Sequence, residues 1–419
     1  MSKSTQNVKF YLNQAIDDVT FKPNTIYCGD CKDVLRHFPE YSIDLIYLDP
    51  PFFSNRHFEV IWKDGYELRS FEDRWKGGIH NYIGWMEERL WLCQRVLKPN
   101  GSIFLHCDWH AGHYLKVLMD KIFGYERFLN EIVWCFETSG KYKSHFSRKH
   151  NTIFWYSKGK EYTFNSKAVS IPRKPDKHMR MGIDADGRRY EEKTDSKTGK
   201  VYRWYFDEGR LPLDYWTDIQ FINREAKERL GYPTQKPEAL VERIIKAASN
   251  PNDIVLDPFC GCRIAIAVAE RLGRRWIGID VSPTACKLMQ KRMRVINGKN
   301  TEIIGLPLTV EELKLLHYFE FQNWVMDKLY ARINPKRVGE MGIDGYFMDS
   351  TPIQVKQSEG IGRNVVDNFE TAIQRKGRKK GMIVAFSFGR GAHEEVARIK
   401  QEQGLEIILK TVKDTLDES

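Results

Sequence analysis

The stretch DLIYLDPPFF, residues 44–53, ends an apolar run on a carboxylate and sets two prolines and two phenylalanines directly behind it. Asp49 offers one hydrogen-bond acceptor through its carboxylate. The carbonyl of Pro50 offers a second, because the proline pair fixes φ and with it the carbonyl's direction. Two acceptors so placed can take both N–H bonds of a nucleobase exocyclic amine. The lone pair of such an amine is otherwise delocalised into the ring, and the two acceptors draw its nitrogen toward sp³ geometry. Phe52 or Phe53 supplies a ring on which a base turned out of its stack can lie. An Asp-Pro-Pro corner also occurs as an ordinary turn, so the chemical reading needs a second half-site in the same sheet.

IVLDPFCGCRIAIAVAERLGRRWIGID, residues 254–280, supplies a candidate for it: strand, small-residue loop, helix, strand, acid. Such a loop lets backbone N–H groups and a helix N-terminus approach a ligand, and Asp280, about twenty residues on, suits ribose hydroxyls. The G-x-G-x-x-G glycines are absent. The stretch therefore reads as a nucleoside-like cofactor site, with a purely structural strand–turn–helix as the alternative.

These residues need elements to carry them. TIYCGD and IDLIYLD read as buried strands, with a short helix from Lys32 to Phe38 between them. HNYIGWMEERLWLCQRVLKPNG reads as an amphipathic helix closed by Pro99-Asn100-Gly101, SIFLHC as the next strand and AGHYLKVLMDKIFG as the next helix. QKPEALVERIIKAAS is a later helix, followed by strand DIVLD, helix RIAIAVAERLG, strand RWIGID and helix SPTACKLMQKRM. Strands alternating with helices imply an α/β fold with a parallel sheet covered on both faces. Residues 171–210 are polar and rich in Gly and Pro, an insertion or lobe rather than sheet. Residues 297–308 read as a linker. TVEELKLLHYFEFQNWVMDKLYARI then predicts one long amphipathic helix. Strands at 343–348 and 352–357, a helix at 364–374, strand GMIVAFSF, another helix and strand LEIIL complete a small second α/β domain.

The chain has 419 residues, 42% hydrophobic and 29% charged, as expected of a soluble globular protein with room for two or three domains. MSKSTQNVKF has no apolar h-region and no stretch approaches a membrane span, which predicts a cytoplasmic, nucleoid-associated location. Cys28, Cys31, Cys93, Cys107, Cys135, Cys260, Cys262 and Cys286 read as reduced, mostly buried thiols. Cys28 and Cys31 lack the second pair that a structural zinc needs. His106, Cys107, Asp108, His110 and His113 gather at a strand-to-helix junction where Asp108 can serve as N-cap. Leu90, Val96 and Leu97 read as core. Net charge is +10, and residues 139–210 hold 18 Lys/Arg against 9 Asp/Glu. Aromatics interleave there, among them Tyr142, Phe146, Trp155, Tyr156, Tyr162, Phe164, Tyr190, Tyr202, Trp204 and Tyr205. That is the footprint of a polyanion site or of a solvated charged face.

The order NTIYCGDCKDVL, DLIYLDPPFF, GSIFLHCDWHAGHYLKVLMDKIFG, NEIVW, YPTQKPEALVERIIKA, DIVLDPFCGC, RWIGID resembles the β-class DNA amino-methyltransferases, closest to the type III modification subunits. The resemblance covers about residues 9–294. It implies a Rossmann-like methyltransferase fold over 1–296 with an inserted target-recognition region at 139–223, S-adenosylmethionine as cofactor and double-stranded DNA as partner. A homodimer or a restriction-system partner would be compatible with it. Carried over, Asp49, Pro50, Pro51 and Phe52 hold the target amine. Asp257, Phe259, Cys260 and Gly261 line the methionine end of the cofactor, Asp280 the ribose, and Asp30 lies near the adenine ring. Thr234, Gln235 and Lys236 contact the methionyl carboxylate. The methyl passes by in-line displacement, without metal or covalent enzyme intermediate. Asp as the leading residue favours adenine N6, with cytosine N4 as the alternative. The family usually has Gly where this chain has Arg263, which opens a further alternative: a nuclease or DNA-binding protein with an impaired methyltransferase domain.

MGIDGYFMDSTPIQVKQS places Asp344 on one strand and Gln354-x-Lys356 on the next. Ligands on adjacent strands can hold Mg²⁺ against a phosphate while Lys356 polarises the attacking water. The pattern resembles the Mrr-like branch of the PD-(D/E)xK nucleases over 309–412. It implies a small restriction-endonuclease-like domain at 309–419, with Asp344 and Gln354 as metal ligands and Glu320 as a further candidate.

Overall fold

The computed structural model describes residues 21–54, 57–61, 68–72, 77–137, 143–222, 236–261, 264–334 and 342–417. Thr234, Gln235, Cys262, Arg263 and Tyr142 lie outside the described residues.

The N-terminal part runs β1 (Thr25–Cys28), α1 (Cys31–Arg36), β2 (Ile43–Leu48), a β3–β4 hairpin (His57–Ile61, Leu68–Glu72), α2 (Gly78–Val96), β5 (Leu97–Cys107) and α3 (Gly112–Phe123). It continues through β6 (Phe128–Cys135) and β7 (His150–Ser157). A lobe follows with β8 (Arg180–Ile183), β9 (Arg189–Thr194) and β10 (Val201–Tyr205), and then β11 (Tyr215–Trp216). The chain returns through α4 (Glu238–Ala248), β12 (Ile254–Asp257), α5 (Ile264–Arg271), β13 (Arg275–Asp280), α6 (Pro283–Asn297) and β14 (Ile303–Ile304).

One nine-stranded sheet has the order β11-β6-β7-β5-β2-β12-β13-β1-β14. Its pairs are parallel except β5/β7 and β6/β7, so the expected parallel sheet carries an antiparallel insertion near one edge. Alternation along each strand sorts side chains to two faces. Ile46, Leu48, Ile103 and Leu105 join the core under α1–α3, whereas Leu45, Tyr47 and Phe104 join the core under α4–α6. Leu90, Val96 and Leu97 are fully buried in the first of these cores.

Several boundaries differ from the sequence reading. Helix α2 ends at Val96 and passes straight into β5, so Pro99-Asn100-Gly101 lies within the strand segment rather than closing the helix. Helix α3 begins at Gly112. Asp108 instead binds the backbone N–H and ring of His110, at 2.9 and 2.7 Å. The 297–308 stretch is not wholly linker, because β14 pairs with β1 at the sheet edge. The basic segment divides as well. Its strand β7 belongs to the main sheet and buries Trp155 and Tyr156, while the lobe proper is a three-stranded antiparallel meander, β10-β9-β8. Ile171 and Arg210 exchange backbone hydrogen bonds of 2.9 Å at its base.

The C-terminal domain contains α7 (Val310–Leu315), α8 (Tyr318–Lys328), β15 (Arg332–Ile333), β16 (Gly345–Tyr346), β17 (Pro352–Lys356), α9 (Arg363–Arg375), β18 (Lys380–Ala385), α10 (Arg390–Gln403), β19 (Glu406–Thr411) and α11 (Val412–Asp417). The single long helix expected over 309–333 is thus two helices. Thr309 closes a capping box on α7, and the His317 side chain accepts from the Phe319 N–H to start α8. The sheet order is β15-β16-β17-β18-β19, antiparallel to β17 and parallel beyond it. No helix among the described residues is long and apolar enough to cross a membrane.

Candidate active site

β2 and β12 are parallel neighbours, β13 follows, and Asp49, Asp257 and Asp280 stand at their C-terminal ends. That edge of an open α/β sheet is where ligands bind. The order β5-β2-β12-β13-β1 therefore brings the amine-clamp sequence beside the small-residue loop, although some 200 residues of chain separate them.

Asp49 is held by Lys236, whose ammonium donates to both carboxylate oxygens at 2.7 Å. Burial pushes the Asp49 carboxyl above its usual range, and Lys236 opposes that rise. The same ammonium lies 4.7 Å from the centre of the Phe52 ring. Fully buried His106 approaches within 3.9 Å of Asp49 and packs its ring 5.6 Å from Phe52. Its Nδ1 lies 3.1 Å from the Tyr47 hydroxyl and its Nε2 3.1 Å from the Asn151 amide. Burial, then Lys236, holds His106 well below its ordinary pKa, so it is neutral.

The proline corner is braced from α2. Buried Tyr82 donates its hydroxyl to the Pro51 carbonyl at 2.7 Å. Phe53 takes a left-handed backbone, φ 61°, and sets its ring 5.7 Å from Tyr82. A bulky residue held there is a local strain of the kind that clusters at working sites.

In the cofactor half, Asp257 accepts from the Phe259 N–H at 3.1 Å. Asp280 accepts from the Gly261 N–H at 2.7 Å and the Ser282 N–H at 2.9 Å. Gly261 has φ 37°, a backbone conformation that suits glycine. Gly278 sits close under this loop, where an added Cβ would meet the Cys260 sulfur at 3.0 Å. Burial raises the Asp257 carboxyl well above its usual range, and the charges of Asp49 and Asp280 raise it further. Asp49, Asp257 and Asp280 gather oxygen acceptors at one end of the sheet, the chemistry that ribose hydroxyls and a cationic sulfonium call for. This donor set fits a sulfonium nucleoside.

Two further residues expected at the cofactor have protein partners. Asp30, expected near the adenine ring, caps α1 through the Lys32 N–H at 2.8 Å and pairs with Arg89, itself stacked 3.8 Å from Trp85. Trp85 in turn sits 5.7 Å from Phe259. Lys236, expected at the methionyl carboxylate, pairs with Asp49. The sequence reading missed Tyr82, Trp85 and Arg89, whose near-helical spacing on one face of α2 was the available signal, and it gave His106 no role beside Asp49.

No disulfide joins the seven described cysteines. In the lobe, Arg203 stacks 3.8 Å from Tyr190 and Arg188 3.9 Å from Tyr205, while Arg173 pairs with Glu191. Much of its basic charge is thus tied into its own fold. In the C-terminal domain Asp344 accepts from the Val355 N–H at 2.7 Å and from the Tyr318 hydroxyl at 3.4 Å, and burial pushes it up to about 6. Gln354 is buried with its Oε1 lacking a hydrogen-bond partner among the described residues, and Lys356 shares its strand face. Glu320 does not join them: its carboxylate faces Ser282 and Thr284 of α6 at 2.7 Å each. Asp367, Glu370 and Glu395 also converge, with Arg363 and Arg398 paired against them.

A family model described as DNA methylase, of the N6/N4 type, matches residues 43–291. The DNA adenine methyltransferase YhdJ of Escherichia coli (strain K12) is 31% identical over 285 residues, covering 66% of this chain and 85% of its own. The type II methyltransferase M.HinfI of Haemophilus influenzae is 30% identical over 300 residues, covering 70% and 74%. Among solved structures, the cytosine-N4-specific PvuII DNA methyltransferase aligns with TM-score 0.43 at 20% identity, over 68% of this chain and 95% of that one. The chain belongs to the N6/N4 DNA methyltransferase family, whose members use S-adenosylmethionine.

Proposed function

We propose that the protein methylates adenine N6 in double-stranded DNA at a specific site, in a modification or restriction–modification role. The observation that carries this reading is the adjacency of the Asp49-Pro50-Pro51-Phe52 corner to the Asp257–Gly261 loop and Asp280 on neighbouring parallel strands. Asp49 and the Pro50 carbonyl accept the two N–H bonds of the target amine, since Tyr82 already occupies the Pro51 carbonyl. Phe52 stacks on the extruded base. Asp280 holds the ribose and Asp257, Phe259, Cys260 and Gly261 line the methionine end, with Thr234, Gln235 and Lys236 at the methionyl carboxylate. S-adenosylmethionine supplies an electrophilic methyl on a sulfonium. The amine nitrogen forms the new bond to that carbon as the carbon–sulfur bond breaks, and the surplus amine proton passes to Asp49 or solvent. Catalysis then rests mainly on orientation. The leading Asp favours adenine over cytosine N4, and YhdJ is itself named an adenine methyltransferase. The lobe at 171–210, with flanking residues of the 139–223 region, reads the DNA.

Labelled S-adenosylmethionine, unmethylated plasmid and purified protein, followed by nucleoside mass spectrometry, test this. N6-methyladenine is the expected product. N4-methylcytosine would move the target, and no methylated nucleoside with DNA still bound would turn attention to Arg263. Asp49→Ala is expected to reduce transfer about 10²–10⁴-fold while cofactor binding persists.

A second reading concerns the C-terminal domain as a Mg²⁺-dependent nuclease-like unit. It is favoured by the buried Gln354 oxygen without a partner near Asp344, with Lys356 on the same strand. Asp344 and Gln354 would offer oxygen ligands and Lys356 would polarise water. Loss of Mg²⁺-dependent cutting, but not of methylation, in Asp344→Ala is its test.

A further inference from the structure

Glu320 lies outside the residues matched by the family model, yet its carboxylate reaches into the methyltransferase domain. Its Oε1 accepts from the Ser282 hydroxyl and its Oε2 from the Thr284 hydroxyl, each at 2.7 Å. Ser282 is the residue that caps α6, its oxygen accepting from the Ala285 N–H at 3.0 Å. The backbone N–H of the same Ser282 donates to Asp280 Oδ1 at 2.9 Å, and Asp280 Oδ2 accepts from the Gly261 N–H at 2.7 Å. An unbroken hydrogen-bonded path therefore runs from α8 of the C-terminal domain to the acid at the end of β13 and on to the small-residue loop. Lys287 of α6 and Asp327 of α8 add an ion pair across the same seam.

We propose that Glu320 is a positioning residue for cofactor binding, holding the Asp280–Ser282 turn from across the domain seam. This rests on the reading of Asp280 as the ribose acid. The physical case has two parts. First, one carboxylate serves two helix N-termini: it stands in the first turn of α8 and faces the first turn of α6, where negative charge is favoured. Second, what it grips is the hydroxyl of the residue whose N–H aims Asp280. Ser282 precedes Pro283, which confines it to the extended region it adopts here, φ −90° and ψ 114°. The turn is thus stiff and anchored at both ends, and Asp280 keeps a fixed direction for ribose hydroxyls. Releasing the outer anchor frees the Ser282 and Thr284 hydroxyls and loosens the cap. The orientation of Asp280 is then lost without a change in any group that touches DNA or the amine.

The test uses the full chain with Glu320→Ala, Ser282→Ala and Asp280→Ala, and the double variant of the first two. S-adenosylmethionine and S-adenosylhomocysteine affinities are measured by calorimetry, and KM and kcat with saturating DNA. Glu320→Ala is expected to raise the cofactor KM and Kd about 5- to 20-fold, within the span of typical coupling between sites, while kcat and DNA affinity stay at the parent values. The double variant is expected to be less than additive, and Glu320→Asp to restore part of the loss. An unchanged cofactor Kd in Glu320→Ala, with a raised one in Asp280→Ala, overturns the coupling. An unchanged Kd in Asp280→Ala overturns the underlying site reading instead. If Glu320→Ala fails to fold, Thr284→Ala and Ser282→Ala probe the same link from the other side, and parent-like cofactor KM in both overturns it.

Discussion

The Lys236 ammonium bonds both carboxylate oxygens of Asp49 at 2.7 Å, although 187 residues separate the two in sequence. The ammonium ties the carboxylate down from one side, and a carboxylate retains lone pairs for a further donor. Asp49 is raised by burial and lowered by Lys236. Lys236→Met removes the lowering charge, so the Asp49 pKa rises further. The acid limb of the kcat/KM profile, which reports the free enzyme, is expected to move to higher pH, with a larger loss of methyl transfer at pH 6 than at pH 8. A pH–rate series on parent and variant checks this, and superimposable acid limbs would refute it.

Tyr82 is the brace that sequence inspection passed over. Tyr82→Phe leaves the Pro51 carbonyl without its donor in a buried setting. The expected cost is about 1–3 kcal/mol of stability, read by urea unfolding. A fall in kcat with unchanged cofactor affinity should accompany it, because the corner that aims the Pro50 carbonyl is loosened.

The lobe is closed at its neck by reciprocal bonds between Ile171 and Arg210. Replacing 172–209 by a two-glycine turn is therefore expected to leave a folded protein that binds S-adenosylmethionine like the parent. DNA affinity should fall and its salt dependence flatten, as phosphate contacts are lost. Fluorescence anisotropy at two ionic strengths measures both.

Asp344 has a folded pKa of about 6, above its ordinary 3.8, because of burial. Between these values the folded state binds more proton than the unfolded, so this group's contribution to stability falls as pH rises through that window. Asp344→Asn removes the penalty. Its thermal midpoint is expected to exceed the parent's at pH 8 and to converge with it below about pH 4. Added Mg²⁺ should raise the parent midpoint at pH 8 and leave that of the variant unmoved if this acid ligates the metal.

What was legible in the sequence follows from how local each feature is. β2 and β13 declare themselves as apolar runs ending in Asp49 and Asp280, because burial on both faces leaves no alternation to disguise them. Helix α4 shows its apolar face in a single window. The 309–333 stretch misled because apolar periodicity continues across Leu316-His317, while a side-chain cap that periodicity does not register breaks the helix there. Within the site, the partners of Asp49, Pro51 and Asp280 were invisible for another reason. Lys236 and Tyr82 meet Asp49 and Pro51, and Glu320 meets the Ser282 beside Asp280, only through the sheet order and the domain seam, and neither is encoded at short range. The pairing of Asp30 with Arg89 was equally out of reach, because 59 residues separate the two in sequence.

The strand order also governs how the chain must be made. Thr25 of β1 lies in register with Ile277 of β13, and Leu45 of β2 with Val255 of β12. At synthesis rates of about 5–20 residues per second, the first strand waits on the order of tens of seconds for its inner neighbour to be made. Until then only the β2–β5 side of the sheet can assemble, with one edge of β2 bare. Half of the molecule is an acceptor for the other half, and a break within the lobe should yield two pieces that find each other again.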